Sequence, residues 1–310
     1  MTKKVAVIMG GWSSEREVSL VSGKACAKAL QEQGYDVIAI DISKDLENFI
    51  KEIKTFNPDV IFNALHGKWG EDGCIQGVLE ILGIPYTHSN ILTSALAMDK
   101  NKTKEMLEAV NIQVISGQLI SIADIKAGKV PFAKPLVIKP NSEGSSHGVY
   151  IVKEDKDMPD FSDWNFGDKA LVEKYIAGKE LSVAVLDRKN GEAEAFTVTE
   201  INTDLGFYNY EAKYSDGGSN HILPAEIPSD VFVKAIENAE LAHKTLGCKG
   251  VSRTDFRYNP EEGYSGLYLL EVNTQPGMTP TSLVPEQAEY RGISFGELVV
   301  ALVEMVGVYS

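Results

Sequence analysis

Four polar side chains near the carboxyl end of the chain stand in a pattern that suits a metal-assisted reaction. Arg253 and Asp255 lie two residues apart in one apolar-rich segment, and Glu271 and Asn273 lie two residues apart in the next. Side chains two residues apart share a face of a strand, so two paired strands would present all four groups together. Carboxylate and amide oxygens are ligands that Mg²⁺ takes, usually alongside nucleotide phosphates. The pattern therefore predicts a site where a metal ion and a phosphorylated ligand meet.

Two predicted strands must position these groups. Val251–Tyr258 and Leu267–Asn273 are rich in apolar residues, and residues 259–263 between them are turn-prone, which predicts a strand–turn–strand unit. The alternative is an ordinary hairpin whose charges face solvent. Leu269 and Leu270 favour a buried second strand, where a carboxylate needs a partner or a metal ion.

Strand and helix patterns alternate in the N-terminal part of the chain, which predicts a parallel sheet with crossover helices. The predicted strands cover residues 5–9, 37–42 and 60–65. The first predicted helix follows a Ser14–Glu17 capping box and ends near Gly34, and the next two cover residues 45–55 and 74–82.

Two loops at the carboxyl ends of these strands are candidates for a small-ligand site. Ligands of such sheets bind beyond the carboxyl ends of the strands, which places residues 10–17 and 66–73 there. Glu15 and His66 are the candidate side chains. Complementing a helix dipole is an alternative role for Glu15, and an ordinary loop hydrogen bond is one for His66.

A Gly/Ser-rich loop at residues 141–148 predicts a phosphate site in the middle of the chain. It follows a predicted strand at 135–139 that ends in Lys139, and it precedes another at 149–152. Glycine and serine leave backbone N–H groups and hydroxyls open to phosphate. The loop is not a Walker A motif, because GxxxxGK[ST] is missing and a strand follows it instead of a helix.

Polar residues on or beside the next predicted strands, 170–176 and 181–186, could hydrogen-bond a purine and a ribose. They are Glu173, Lys174 and Glu180, and edge-strand solvation is the alternative role. A tyrosine-rich segment at 206–218 is typical of a lid over a site or of a packed Ω-loop.

Composition bounds the class of protein. The chain has 310 residues and a net charge of −14, from 30 basic and 44 acidic residues. That length predicts two or three domains, and the acidic balance argues against nucleic acid as a partner. The three scattered cysteines indicate a reducing compartment. The apolar run at 5–9 is too short for a signal peptide, and no run could span a bilayer, so we expect a cytoplasmic location and no membrane partner.

The motifs, taken in order, resemble those of the D-alanine–D-alanine ligase family over almost the whole chain. They are Ser13-x-Glu15-Arg16-Glu17-x-Ser19, His66-Gly67 with Gly70-Glu71-Asp72-Gly73, Met98-Asp99-Lys100, Lys139-Pro140 with Glu143-Gly144-Ser145-Ser146, Tyr208-x-Tyr210-Glu211-Ala212-Lys213-Tyr214, and Arg253-x-Asp255 with Glu271-x-Asn273-Thr274-x-Pro276-Gly277-Met278-Thr279. The resemblance implies an α/β chain with an ATP-grasp fold. We expect an N-terminal parallel-sheet substrate domain at 1–92, a central ATP-grasp subdomain at 93–176 and a C-terminal one at 177–310.

The resemblance also implies an activity and a set of site residues. The family joins two D-alanines for peptidoglycan synthesis and cleaves ATP to ADP and phosphate. The catalytic residues would be Glu15, Ser145, Tyr214 and Arg253, and the substrate-binding residues His66, Gly277, Ser282 and Leu283. ATP would be bound by Lys100, Lys139, Glu173, Lys174, Ile176, Glu180 and Lys213. Two Mg²⁺ or Mn²⁺ ions would be bound by Asp255, Glu271 and Asn273. The resemblance further suggests a homodimer and leaves activation by K⁺ open.

Three other functions compete with this one. A D-alanine–D-lactate ligase has the same fold, but in the family a phenylalanine accompanies lactate use where Tyr214 stands here. Another ATP-grasp carboxylate–amine ligase would not need the loops that carry Glu15 and His66. A non-catalytic nucleotide-binding protein would be expected to lack Lys139, Arg253 or a metal ligand, and all are present.

Overall fold

The structure is a computed structural model that describes residues 2–188, 191–202 and 220–306. Its strands are β1 (Lys4–Gly10), β2 (Asp36–Ile42), β3 (Val60–Asn63), β4 (Gly117–Ser121), β5 (Leu136–Lys139), β6 (Tyr150–Val152), β7 (Lys169–Lys174), β8 (Lys179–Asp187), β9 (Ala193–Asn202), β10 (Asn220–Ile222), β11 (Val251–Tyr258) and β12 (Leu267–Asn273). Its helices are α1 (Arg16–Glu32), α2 (Leu46–Phe56), α3 (Cys74–Leu82), α4 (Ile91–Met98), α5 (Lys100–Glu108), α6 (Ile122–Lys126), α7 (Ser229–Leu246), α8 (Leu283–Tyr290) and α9 (Phe295–Met305). None of these helices has the length and apolar character needed to cross a membrane.

The N-terminal sheet is parallel, as the alternating pattern predicts. Its order is β2-β1-β3, and Val5 of the central strand pairs with Val37 and Val60. One face packs with α1 and α9 in an apolar core, and the other packs with α2 and α3. Burial on both faces explains why β1 is apolar throughout. The loops that follow β1 and β3 therefore meet at one edge.

Helix α1 begins differently from the prediction. Glu15 is its N-cap residue and no side chain caps it, so the predicted Ser14–Glu17 capping box is wrong. The polar groups here join the two loops instead. The Ser13 hydroxyl donates to the His66 carbonyl at 2.7 Å and accepts from the Glu15 N–H at 3.2 Å.

The middle sheet is antiparallel, with the order β4-β7-β5-β6. Strand β5 ends at Lys139 and the Gly/Ser-rich loop follows, as predicted. Ser145 and Ser146 in that loop have φ values of 48° and 59°, a left-handed conformation that non-glycine residues seldom adopt. Such residues are concentrated at functional sites, where the surrounding structure holds them in place.

The C-terminal sheet is also antiparallel, with the order β10-β9-β8-β11-β12 and α7 packed on it. The predicted pairing of β11 with β12 is confirmed, and it sets Arg253 opposite Asn273 and Asp255 opposite Glu271. The next pair is Phe256 with Leu269, so Leu270 is an extra residue in β12. This β-bulge lies directly beside the polar cluster.

Candidate active site

Two adjoining pockets contain the candidate residues. The first, which we call the loop pocket, is lined by the loops after β1 and β3, the Gly/Ser-rich loop, Arg253 and the segment that leads into α8. The second, the strand pocket, lies between the middle and C-terminal sheets and is lined by residues of β5, β7, β11 and β12. Gly144 and Glu271 line both pockets, so a ligand of one can reach a ligand of the other.

The loop pocket brings together the described catalytic and substrate-binding candidates. These are Glu15, His66, Ser145, Arg253, Gly277, Ser282 and Leu283, together with Glu271 and Asn273 of the predicted metal set. Lys213 and Tyr214 lie outside the described residues, so their predicted roles are not located here.

Glu15 is enclosed by two neighbouring loops. Its side chain is buried, and the Ser145 hydroxyl donates to Oε1. A Cβ on Gly67 or Gly144 would come within 2.5 Å or 2.9 Å of Glu15 Oε2. Both positions therefore need glycine if the loops are to close around this carboxylate, which can accept hydrogen bonds from an ammonium group.

His66 is a buried, neutral neighbour of this carboxylate. Its Nε2 lies 3.2 Å from the Ser22 hydroxyl. Burial lowers the pKa of His66, although the charge of Glu15 acts in the opposite direction. The imidazole can therefore hydrogen-bond a substrate without adding a positive charge.

Arg253 is held in a fixed orientation by Asp255. Its Nε donates to Oδ1 at 2.9 Å, and its Nη2 donates to Oδ2 at 2.7 Å. Asp255 also accepts from the Ser182 hydroxyl at 2.7 Å and from the Asn273 amide at 3.1 Å. A guanidinium positioned in this way can stabilise negative charge without reorganising.

Asp255, Glu271 and Asn273 offer two carboxylates and an amide oxygen to an ion. Among the described residues, no group of three or more His, Cys, Asp or Glu side chains could hold a metal by itself. The oxygen atoms of the three residues are the kind of ligand that Mg²⁺ takes, and this ion commonly completes its coordination with phosphates and water. Lys100 Nζ lies 3.4 Å from Glu271, so a cation already accompanies this carboxylate. The metal role of the three residues stays a prediction.

The segment that leads into α8 forms the far wall of the loop pocket. Ser282 is the N-cap residue of α8, and its hydroxyl accepts from the Thr279 N–H at 3.1 Å. A Cβ on Gly277 would lie 3.0 Å from the same oxygen. The first N–H groups of a helix can bind an anion, and the guanidinium of Arg253 lines the same pocket, so a carboxylate can be accommodated there.

The strand pocket brings together the described ATP-binding candidates, which are Lys100, Lys139, Glu173, Lys174, Ile176 and Glu180. Lys100 Nζ donates to the Glu143 carbonyl at 2.7 Å, which fixes the Gly/Ser-rich loop to α5. The roles of these six residues in binding ATP stay predictions.

Sequence patterns missed several groups in and around these pockets. Glu71 lines the loop pocket and accepts from the Gly67 N–H at 2.9 Å, and burial and the nearby Glu15 raise its pKa to about 8. Gln275 lines it too and accepts from Asn63 Nδ2 at 2.9 Å. For Glu71, the available signal was its place in a loop already predicted to bind ligand.

Arg257 was also missed, although it follows Arg253 and Asp255 on the same face of β11. It lines the strand pocket and donates hydrogen bonds to the segment between β7 and β8 and to the start of β8. Its Nη2 donates to the Gly178 carbonyl at 2.9 Å, its Nε to the Ile176 carbonyl at 3.3 Å, and its Nη1 to Glu180 at 3.3 Å. Arg257 thus fixes the wall that carries two of the predicted ATP-binding residues, Ile176 and Glu180.

The parallel N-terminal sheet and the two antiparallel sheets, with a lysine-containing pocket between the latter two, are the architecture of the ATP-grasp ligases. Family comparison then identifies the particular group. Sequence profiles of the D-ala D-ala ligase N-terminus match residues 4–58 and 47–89, and the profile of the C-terminus matches residues 119–304. The chain belongs to the D-alanine–D-alanine ligase family.

Individual relatives agree with this assignment. The chain is 54% identical to a D-alanine–D-alanine ligase of Caulobacter vibrioides, over 97% of this chain and 92% of that protein. It is 53% identical to one of Parvibaculum lavamentivorans, over 97% of each. Among solved structures, the Bacillus anthracis ligase complexed with ATP has a TM-score of 0.80 at 32% identity, over 98% of this chain and 97% of that one.

Proposed function

We propose that this chain joins two D-alanine molecules into D-alanyl-D-alanine, with cleavage of ATP to ADP and phosphate, for peptidoglycan precursor synthesis. The observation that carries the proposal is the junction of the two pockets at Gly144 and Glu271. A carboxylate bound in the loop pocket meets there the phosphate end of a nucleotide bound in the strand pocket.

The first step activates the carboxylate of the first D-alanine. A free carboxylate is a poor acyl donor, and transfer of the γ-phosphoryl group turns it into an acyl phosphate with a good leaving group. Glu15 and Ser145 hold and orient the first substrate through its ammonium group, and Lys100 and Lys139 bind phosphate oxygens. Mg²⁺ or Mn²⁺ at Asp255, Glu271 and Asn273 would neutralise charge on the phosphates when bound.

The second step forms the peptide bond. The amine of the second D-alanine attacks the acyl carbon, phosphate leaves, and the nitrogen loses a proton. Arg253 and the Gly277 N–H stabilise the oxyanion that forms, and the start of α8 at Ser282 and Leu283 receives the second carboxylate. The resemblance assigns Lys213 to the γ-phosphate and Tyr214 to positioning the reactants with Glu15 and Ser145, and both lie outside the described residues. Exclusion of water would protect the acyl phosphate from hydrolysis.

A D-alanine–D-lactate ligase is the alternative on the same fold, and it is not favoured. The relatives of about 50% identity are named D-alanine–D-alanine ligases. A solved D-Ala:D-Ser ligase of Enterococcus faecalis, VanG, is 30% identical at a TM-score of 0.80. Second-substrate choice is thus a variable property of this fold, and Tyr214 favours the dipeptide.

The test is phosphate release from ATP and Mg²⁺ by the purified protein, with products identified by mass. We expect release with D-alanine alone and D-alanyl-D-alanine as the product. Release that requires D-lactate would reassign the second-substrate site. Binding of ATP without release under any pairing would overturn the ligase function.

Finer properties form part of the same proposal. We expect EDTA to abolish release and Mg²⁺ or Mn²⁺ to restore it, with K⁺ tested as an activator.

We also propose a cytoplasmic homodimer. Ile81 of α3 and Leu92 of α4 are 89% and 75% exposed, which supports an apolar contact surface on these helices. Sedimentation of the wild type against Leu92→Ser tests this.

A further inference from the structure

A buried lysine lies behind the wall of the strand pocket. Lys104 belongs to α5 and is only 5% exposed, and it is not among the residues that line the pocket. Its Nζ donates to Glu173 Oε1 and, at 3.2 Å, to the Ile115 carbonyl. Glu173 and Ile115 do line the pocket, so Lys104 touches the wall from its far side.

The same carboxylate also holds Lys139. Glu173 Oε2 lies 2.9 Å from Lys139 Nζ, so each oxygen of one buried carboxylate faces a different lysine. Burial would raise the pKa of Glu173, but the charges of Lys104 and Lys139 outweigh it and the pKa is lowered. The carboxylate is therefore ionised and shared by two lysines. Burial lowers the pKa of Lys104 to about 8, so at neutral pH this lysine is mainly protonated and the group of three carries one positive charge in excess.

We propose that Lys104 is a positioning residue that acts through Glu173 and leaves the ammonium of Lys139 available for the phosphates of ATP. The inference rests on the proposed function, which gives the strand pocket to ATP. With Lys104 present, Glu173 keeps a cationic partner when Lys139 turns to the nucleotide.

Without Lys104, the same movement becomes costly. Glu173 and Lys139 would form a one-to-one buried ion pair, and withdrawing Lys139 would leave an uncompensated buried carboxylate. The phosphates would then have to compete with Glu173 for the ammonium of Lys139. The effect of losing Lys104 should therefore fall on nucleotide affinity and depend on the charge of Glu173.

The first experiment compares two lysines of the same helix. Lys104→Met removes the buried cation, and Lys102→Met is the matched control because Lys102 is 60% exposed and pairs with Glu105 at the surface. We expect Lys104→Met to weaken ATP binding, measured by titration calorimetry, about tenfold or more, with KM for D-alanine changed less than about twofold. Lys102→Met should match the wild type. Equal ATP affinity in Lys104→Met and wild type would overturn the inference.

A double-mutant cycle separates positioning from a loss of structure. Glu173→Gln removes the charge that Lys104 compensates, so adding Lys104→Met to it should cost less than about threefold in ATP affinity. The same tenfold loss in both backgrounds would overturn the inference in favour of a structural role. If Lys104→Met does not fold, Lys104→Gln takes its place in the cycle.

The two proposals can fail separately. A wild type that binds ATP but releases no phosphate would overturn the ligase function, while the binding cycle would still decide the role of Lys104. If the wild type ligates D-alanine and the effects of Lys104→Met and Glu173→Gln on ATP affinity are additive, only the inference is overturned.

Discussion

The two pockets differ in how the charges of their carboxylates are balanced. In the strand pocket, carboxylates are matched by cations of the chain itself: Glu173 pairs with Lys104 and Lys139, and Glu180 pairs with Arg257. In the loop pocket, Glu15 and Glu71 share the lining with one guanidinium, that of Arg253, which is already paired with Asp255, while Glu271 is accompanied by Lys100. Under the proposed function, the ammonium group of the first substrate supplies the further cation that Glu15 needs. In the strand pocket, the proposed function requires Lys139 to leave such a pair before it can bind the phosphates of ATP.

Arg253→Ala should produce the largest loss, because it removes the guanidinium to which the proposed mechanism assigns the oxyanion. We expect kcat to fall about a hundredfold or more, the usual effect of losing an oxyanion donor. Steady-state phosphate release measures this, with circular dichroism as the check on folding. A folded Arg253→Ala protein with a normal kcat would remove Arg253 from the proposed mechanism.

Glu15→Gln should act on the loop pocket only. The substitution keeps the shape but removes a charge-assisted hydrogen bond to the first ammonium, so we expect KM for D-alanine to rise about ten- to a hundredfold. ATP affinity should stay within about twofold, because Glu15 does not line the strand pocket. Equal losses for both substrates would mean that the two pockets do not act separately.

Arg257→Met is the counterpart on the strand pocket. It leaves the Ile176 and Gly178 carbonyls and Glu180 without their guanidinium partner. We expect KM for ATP to rise about five- to tenfold, because the wall loses hydrogen bonds to a charged group and each such bond contributes roughly 1.5 kcal/mol. KM for D-alanine should not change, and an effect on D-alanine alone would contradict the division between the pockets.

Glu71→Gln should give the smallest effect, and one that depends on pH. Burial and the charge of Glu15 raise the pKa of Glu71 from an ordinary 4.5 to about 8. Its contribution to stability is therefore fully present below about pH 4.5 and is lost as the pH rises through 8. Glutamine mimics the protonated form.

Thermal unfolding of both proteins tests this sign. We expect equal melting temperatures near pH 4.5, and at pH 9 a Glu71→Gln melting temperature a few degrees above that of the wild type, roughly the shift that 1–2 kcal/mol produces in a chain of this size. A variant less stable than the wild type at pH 9 would show that ionised Glu71 is stabilised by its neighbours.

Periodicity and turn chemistry were enough to predict the main elements that position the site. The pairing of β11 with β12 follows from two apolar runs around a turn, and the parallel sheet follows from alternating strand and helix patterns. The ends of elements were less predictable. Strand β3 ends at Asn63, two residues before the predicted end, and the side chain of Asn63 bonds to Gln275 across the chain.

Contacts between distant segments could not be predicted from local patterns. Lys104 reads as one more polar residue of a helix, and only its spacing of four from Lys100 indicates that the two share a face. Its partner Glu173 comes from β7, 69 residues away, so their shared burial is a property of the tertiary fold. The Ser14–Glu17 capping box failed for the same reason, because neighbouring loops engage the polar groups at the start of α1.

The extra residue in β12 carries a consequence for how this protein can vary. In a regular strand, Leu270 and Glu271 would face opposite sides, yet both line the strand pocket. Adjacent residues thus supply an apolar surface and a charged group to the same pocket. A one-residue deletion at Leu270 would restore regular pairing but remove the apolar group beside Glu271, whereas substitutions there would only adjust the shape of the pocket. Strand β12 can therefore accept substitutions at this position, but it cannot change its length there without altering the pocket.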